Sequence, residues 1–204
     1  MRRTYAVLAL GVAWGIFQLA SMTVIILDVL QARPIHLAFA LAATFLYRPF
    51  RTGGSRDPNR LGITDIILAI ISLATGAYIF LDHIRIAMRW IPVSPVYPLD
   101  LLFGIITILL VLEACRRCVG LSLPIIATFF LLYAYFGRYF PGILFFWGVE
   151  FERLVEYMYL TTEGLYGIPL GVSYSYVYLF ILFAAFLHET GAGRFFMDVS
   201  YAVV

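Results

Sequence analysis

Charge is scarce in this chain. Asp, Glu and Arg together make up 13% of its 204 residues, against 63% hydrophobic side chains, and the mean hydropathy is +0.94. A soluble domain carries roughly 25% charged residues, because its surface is too large to be covered otherwise. A water-soluble fold is therefore excluded, and lipid is the solvent that suits this composition. Lysine is absent, so all 14 basic residues are arginine. The net charge of +2 gives no reason to expect a nucleic-acid partner. Two cysteines exclude a disulfide-built scaffold. Catalytic signatures are missing as well. There is no P-loop, no G-x-G-x-x-G and no Ser/His/Asp arrangement. His188 and Glu189 are followed by Thr190, Gly191 and Ala192, so no H-E-x-x-H zinc motif forms. No polar domain is large enough to house a soluble active site, and no catalytic, metal-binding or cofactor-binding residue is assigned.

Long apolar runs are present instead. A spanning helix needs about 20 mostly apolar residues. Residues 4–27 are uncharged but for their neighbours Arg2 and Arg3, and are too long for a signal-peptide core of about 7–15 residues. An uncleaved first span is the better reading than a signal peptide. Residues 34–47, closed by Arg48 and Arg51, give a short second span, and residues 61–81 a third. Between them, RTGGSRDPNR (residues 51–60) is a polar loop. Residues 82–90 read as interfacial, and Pro92, Pro95 and Pro98 interrupt helix. Residues 99–115, 118–137 and 164–187 supply the fourth, fifth and sixth spans. The fold class expected is an all-α integral membrane protein of about six transmembrane helices.

Residues 150–160 differ in kind. Phe151, Leu154, Val155 and Met158 recur at helical spacing, with Glu150, Glu152, Arg153 and Glu156 on the other face. This predicts an amphipathic helix lying in the membrane interface. Tyr133, Tyr135, Tyr139, Phe145, Phe146 and Trp147 beside it suit headgroup depth. With the N-terminus inside, nine arginines fall in inner segments and five in outer ones, which favours a cytoplasmic N-terminus and, with six spans, both ends inside.

Several polar residues invite a functional reading, and each has a plainer one. Cys115 and Cys118 form a solitary C-x-x-C, a weak redox or metal signal. His36, His83 and His188 read as interfacial residues near helix ends. Asp65 and Asp100 lie in first turns, where the helix dipole favours an acid, and Glu113 is spaced to pair with Arg116 and Arg117. Intramembrane acids are nonetheless candidates for a transport role. Gly11 and Gly15 make a G-x-x-x-G on the first span. Gly164, Gly167, Pro169 and Gly171 precede Ser173 and Ser175. Such a run can mark cavity-lining backbone, but reads more simply as a loop and helix start with Pro169 in the first turn.

Three stretches carry a resemblance. They are EACRRCVGLSLPIIATFFLLYAYFGRYFPG (113–142), ERLVEYMYLTTEGLYGIPLGVSYSYVYLFILFAAFLHETGAGRFFMDVS (152–200) and PIHLAFALAATFLYRP (34–49). They resemble the permeases of tripartite ATP-independent periplasmic (TRAP) transporters, in the fused variety that joins a four-helix small subunit to a twelve-helix large one and works with TAXI-type binding proteins. The resemblance implies a secondary transporter of the bacterial inner membrane. A periplasmic solute-binding protein would deliver an organic acid, and a sodium gradient would drive uptake. Residues 1–119 then correspond to the small subunit, and 120–204 to the beginning of the large one. The family's substrate and sodium hairpins lie in later helices, so the chain resembles the N-terminal part only. The family usually has other residues at Cys115 and Cys118. A transported substrate cannot be assigned. A structural or assembly subunit, or a non-transporting piece of a permease, is the alternative function. The partners implied are the lipid bilayer, the binding protein and the remaining permease helices.

Overall fold

The computed structural model describes residues 2–49, 62–91 and 93–203. The expected polar loop at 51–60 and the expected helix interruption at Pro92 lie outside the described residues. What is described is helical, with no strand among the described residues. The helices are α1 (Arg2–Thr23), α2 (Val29–Tyr47), α3 (Ile63–Leu81), α4 (His83–Ala87), α5 (Pro98–Val119), α6 (Ser122–Phe136), α7 (Phe151–Tyr159), α8 (Ile168–Val172), α9 (Tyr178–Glu189) and α10 (Ala192–Val203). A π-helical turn, Ser173–Val177, joins α8 to α9 in one rod, Ile168–Glu189. Five helices are long and apolar enough to cross a membrane: Thr4–Thr23, α2, α3, α5 and Ile168–Glu189. The chain is a multi-pass, all-α membrane protein.

The sixth apolar helix, α6, has 15 residues, a rise of about 22 Å against a hydrocarbon core of about 30 Å. It still carries the chain from one face to the other. It begins just after the C-terminal end of α5, and the segment beyond it packs against the N-terminal half of α5. There Gly104 meets Val155 and Tyr159 of α7 so closely that a Cβ on it would stand 2.4 Å from Val155 Cγ1. Two 3₁₀ turns, Gly137–Tyr139 and Gly142–Leu144, make up for the missing length. An aromatic hairpin then folds back, with the Val149 amide donating to the Ala134 carbonyl (2.9 Å) and the Tyr133 hydroxyl to the Leu144 carbonyl (2.7 Å).

The second span starts earlier than its proline suggests. Asp28 caps α2, accepting from the Val29 amide, and Gln31 Oε1 accepts from the Asp28 amide. That pair nucleates helix five residues before Pro34. Pro34 therefore sits inside α2, where it cannot donate to the preceding turn. α2 reaches 19 residues as a result. It is also the central helix: half of its most apolar stretch is buried, against 6% for Ile168–Glu189. Its closest neighbour is α3. Gly76 has no side chain where a Cβ would come within 2.6 Å of Ala38 Cβ and 2.9 Å of the Pro34 carbonyl oxygen. Small residues allow this approach, which in lipid supplies much of the packing attraction between helices.

Two apolar clusters run along the bundle. Leu30, Ile79, Ile86, Tyr159, Leu160 and Tyr166 fill one end, and Leu41, Phe45, Leu110 and Ala114 the other. We call the face where α1 begins proximal and the opposite face distal. α6 and α9 contrast with this core. Only Pro124 of α6 is buried, and no residue of α9 is.

Candidate functional site

Polar side chains inside an apolar bundle need partners, and three groups of them meet that need. At the proximal end, Arg117 is the hub. Its side chain is 6% exposed and donates to Asp65 of α3 (2.7 Å), Glu113 of its own helix (2.7 Å) and the Arg48 carbonyl (3.0 Å). Its guanidinium also lies over the Phe45 ring at 4.9 Å. Arg116 grips both oxygens of Glu113. The local pairing expected for Glu113 is present. The tie from Asp65 to Arg117, 52 residues away, is added by the packing.

The distal end holds a larger network. Asp100 is fully buried in the first turn of α5 and accepts from Tyr78 (2.6 Å), Arg85 (2.6 and 3.0 Å), Arg89 (3.2 Å) and the Tyr97 amide (3.4 Å). Arg85 also pairs with Asp82. Hydrogen bonding to Asp100 raises the Arg85 guanidinium above its ordinary range. Arg89 continues to Glu156 on α7 (2.6 Å), whose second oxygen takes Arg153 (2.6 Å). Three arginines thus face three carboxylates and bind α3, α4, α5 and α7 together.

This corrects the reading of α7. The helix exists, but Glu156 is 1% exposed and faces the bundle, whereas Phe151 is 46% exposed. The face that touches the protein is a mixed one, with Val155, Glu156 and Tyr159 all buried. The Tyr159 hydroxyl donates to the Thr75 carbonyl (2.8 Å), and burial raises its phenol well above the ordinary value. A 3.6-residue period marks two faces but does not say which partner each will meet.

The third group lies where α1 and α2 meet the π turn. His36 is 2% exposed in the interior of α2 and Gln18 is 0% exposed. The expectation that His36 is interfacial and near a helix end is therefore wrong. Gln18 Nε2 donates to the Tyr174 carbonyl (2.7 Å), which turns its Oε1 toward His36 Nδ1 (2.9 Å). Trp14 Nε1 also donates toward Nδ1 (3.3 Å), and Nε2 faces the Ser173 hydroxyl at 3.4 Å. Trp14 packs its edge on the same ring, at 5.2 Å between centroids. Tyr174 reaches Ser21 through its hydroxyl (3.0 Å). The π turn makes the link possible: the Tyr178 amide reaches back five residues to the Ser173 carbonyl, and the Tyr174 carbonyl is left to Gln18. Polar Gln18 within an uncharged span was the signal available in the sequence.

The remaining candidates separate. His83 lies at the distal end and contacts Gln31, while His188 is fully at the surface of α9. Cys115 and Cys118 are free thiols. The G-x-x-x-G of α1 makes no close crossing: nothing lies within 4 Å of a Cβ built on Gly11, and only the Tyr178 hydroxyl approaches Gly15. Pro169 stands in the first turn of α8, as expected. The glycines around it do more than form a loop. A Cβ on Gly164 would meet the Met158 backbone at 2.5 Å, and one on Gly171 would meet the Arg33 guanidinium at 2.7 Å. Arg33 in turn donates to the Tyr166 (2.7 Å) and Gly167 (3.2 Å) carbonyls. Among the described residues there is no group of three His, Cys, Asp or Glu side chains able to hold a metal ion.

The arrangement is one of ties between helices, with the π-turn rod Ile168–Glu189 pinned by side chains of α1 and α2. Residues 106–204 match the family described as tripartite ATP-independent periplasmic transporter, DctM component. Over that stretch, just under half of its length, the chain is similar to DctM permeases. A DctM component is the membrane part of a transporter and not an enzyme. The matched residues include most of α5, all of α6 and α7, and the whole rod Ile168–Glu189. No curated protein and no solved structure matches the chain.

Proposed function

We propose that this chain is a component of a TRAP permease and takes part in sodium-driven uptake of an organic acid handed over by a periplasmic solute-binding protein. It would lie in the bacterial inner membrane with its N-terminus in the cytoplasm. The observation that carries the reading is the DctM match over residues 106–204. The resemblance of residues 34–49 to the early part of a fused permease extends it toward the N-terminus.

Within this reading, residues 1–119 act as a scaffold and residues 120–204 begin the transporting unit. Four span-length helices precede residue 120. Several ties then cross from the first unit to the second, among them Arg89 to Glu156, Gln18 to the Tyr174 carbonyl, Arg33 to the Tyr166 carbonyl, and Tyr159 to the Thr75 carbonyl. One observation favours the alternative, a structural or assembly role. Asp65, Asp100 and Glu113 are all spent on arginines that hold helices together. An acid committed to such a pair is poorly placed to bind and release a coupling ion.

Uptake in proteoliposomes with a sodium gradient and the cognate binding protein tests both readings. The chain alone is expected to move no solute, and co-reconstitution with the remaining large-subunit helices is expected to give uptake that stops when the gradient is removed. Uptake by the chain alone would overturn the scaffold assignment. Uptake indifferent to sodium would overturn the coupling.

A further inference from the structure

Among the described side chains of the long helices, Arg33 is not accounted for by a carboxylate tie. In α5, Arg116 and Arg117 both hold carboxylates. In α2, Arg33 bonds only to the carbonyls of Tyr166 and Gly167, and no carboxylate pairs with it among the described residues. Carbonyl dipoles orient a guanidinium without neutralising it, and an uncompensated charge at membrane depth is costly. Arg33 lines a cavity of about 330 Å³ together with Leu27, Val29, Ile168, Val172 and Tyr176. Gly171 supports the flat face of the guanidinium, since any side chain there would displace it.

We propose that this cavity binds the phosphate of a membrane phospholipid, with Arg33 as its counter-ion and the apolar wall taking the glycerol and upper acyl chain. Depth supports this assignment. Arg33 is five residues beyond the Asp28 cap, about 7 Å below the start of α2. That is close to the thickness of one interfacial layer, about 5–8 Å. The guanidinium therefore stands where headgroup phosphates meet hydrocarbon. The rim supports it too. Val29, Ile168, Val172 and Tyr176, which line the cavity, are 38%, 77%, 43% and 64% exposed. A soluble anion would have to cross that apolar rim without a tail to place on it. Arg is suited to phosphate because its planar fork offers two parallel donors. A lipid seated here touches both α2 and the Ile168–Glu189 rod. It would add contact where that rod buries little of itself.

The inference does not depend on which solute is transported. Native mass spectrometry of the full chain in detergent tests it. The probes are dioleoyl phosphatidylglycerol, dioleoylglycerol without phosphate, and soluble glycerol phosphate. The wild-type chain is expected to retain one phosphatidylglycerol and not dioleoylglycerol, and glycerol phosphate is expected not to displace the lipid. Arg33→Gln should weaken retention by about tenfold or more. Because Arg33 also anchors the Tyr166 and Gly167 carbonyls, Val172→Glu is the second variant. It leaves the guanidinium in place, sits at a partly exposed wall position, and offers an internal carboxylate that should compete with the lipid to the same extent. Equal retention by the wild type and Val172→Glu would overturn the proposal, as would retention of dioleoylglycerol to the same degree. Displacement by glycerol phosphate as effectively as by lipid would assign the site to a free anion and overturn the lipid.

Discussion

At the residue scale, the decisive contacts join positions far apart in the chain. Arg89 and Glu156 are 67 residues apart, and their side chains are 5% and 1% exposed. Breaking such a pair from one side strands a buried charge, which costs far more than the pair contributes over an apolar substitute. Glu156→Gln is therefore expected to destabilise the folded chain by about 3–5 kcal/mol, seen as a lower melting temperature in detergent. Replacing Arg89 and Glu156 together by methionine should recover most of that loss. If the double variant melts lower than the single one, the charge-stranding explanation fails. The sequence showed Asp100 as a first-turn acid and Glu156 as one charge on an amphipathic face. It did not show that one arginine on the α4–α5 connection holds both. A helix fixes its neighbours at three and four residues, and that is why the pairing of Glu113 with Arg116 and Arg117 was legible while this one was not.

At the element scale, α7 and α2 show two ways in which a pattern underdetermines its helix. The apolar stripe of α7 located the helix correctly and misplaced one of its faces. Phe151 points outward and Glu156 inward, because the wall it meets offers Arg89 as well as Gly104. Single cysteines introduced at 151 and 152 are expected to react with a membrane-impermeant thiol reagent or a lipid-phase one, while those at 155 and 156 stay protected. Fast labelling at 156 with protection at 151 would restore the simple interfacial arrangement. In α2, Pro34 and the polar residues before it suggested a start that the Asp28–Gln31 cap places five residues earlier. A proline in a membrane helix is tolerated when a neighbouring helix closes over it, and Gly76 permits that closure.

At the scale of the whole molecule, the ion networks occupy the two ends of the bundle and the His36–Gln18 group lies between them. The proximal network joins α2, α3 and α5, and the distal one joins α3, α4, α5 and α7. With five span-length helices and short α6 counted as a sixth, six crossings are expected. A reporter fused after Val204 should then be active only in its cytoplasmic format, and one fused in the aromatic hairpin after Leu144 only in its periplasmic format. The same compartment for both fusions would mean that α6 does not cross. The outward faces of α6 and α9 carry Phe129, Phe130, Phe180 and Phe183 at 54–69% exposure, ready for lipid or for further permease helices.

The sequence by itself determined the solvent, the class of fold and the position of nearly every helix. Apolar runs bounded by arginine leave no other way to satisfy the backbone in lipid. It also determined the local features that a few adjacent residues decide: Pro169 in a first turn, and Glu113 held by the next turn of its own helix. The tertiary structure alone decided what the polar residues do. His36 became an interior group because Gln18 and Ser173 come to it from 18 residues before and 137 residues after. Arg33 became the wall of a cavity because Gly171 lies flat against it. Helical period reports the direction in which a side chain points, and only the packing of one helix on another supplies what it points at.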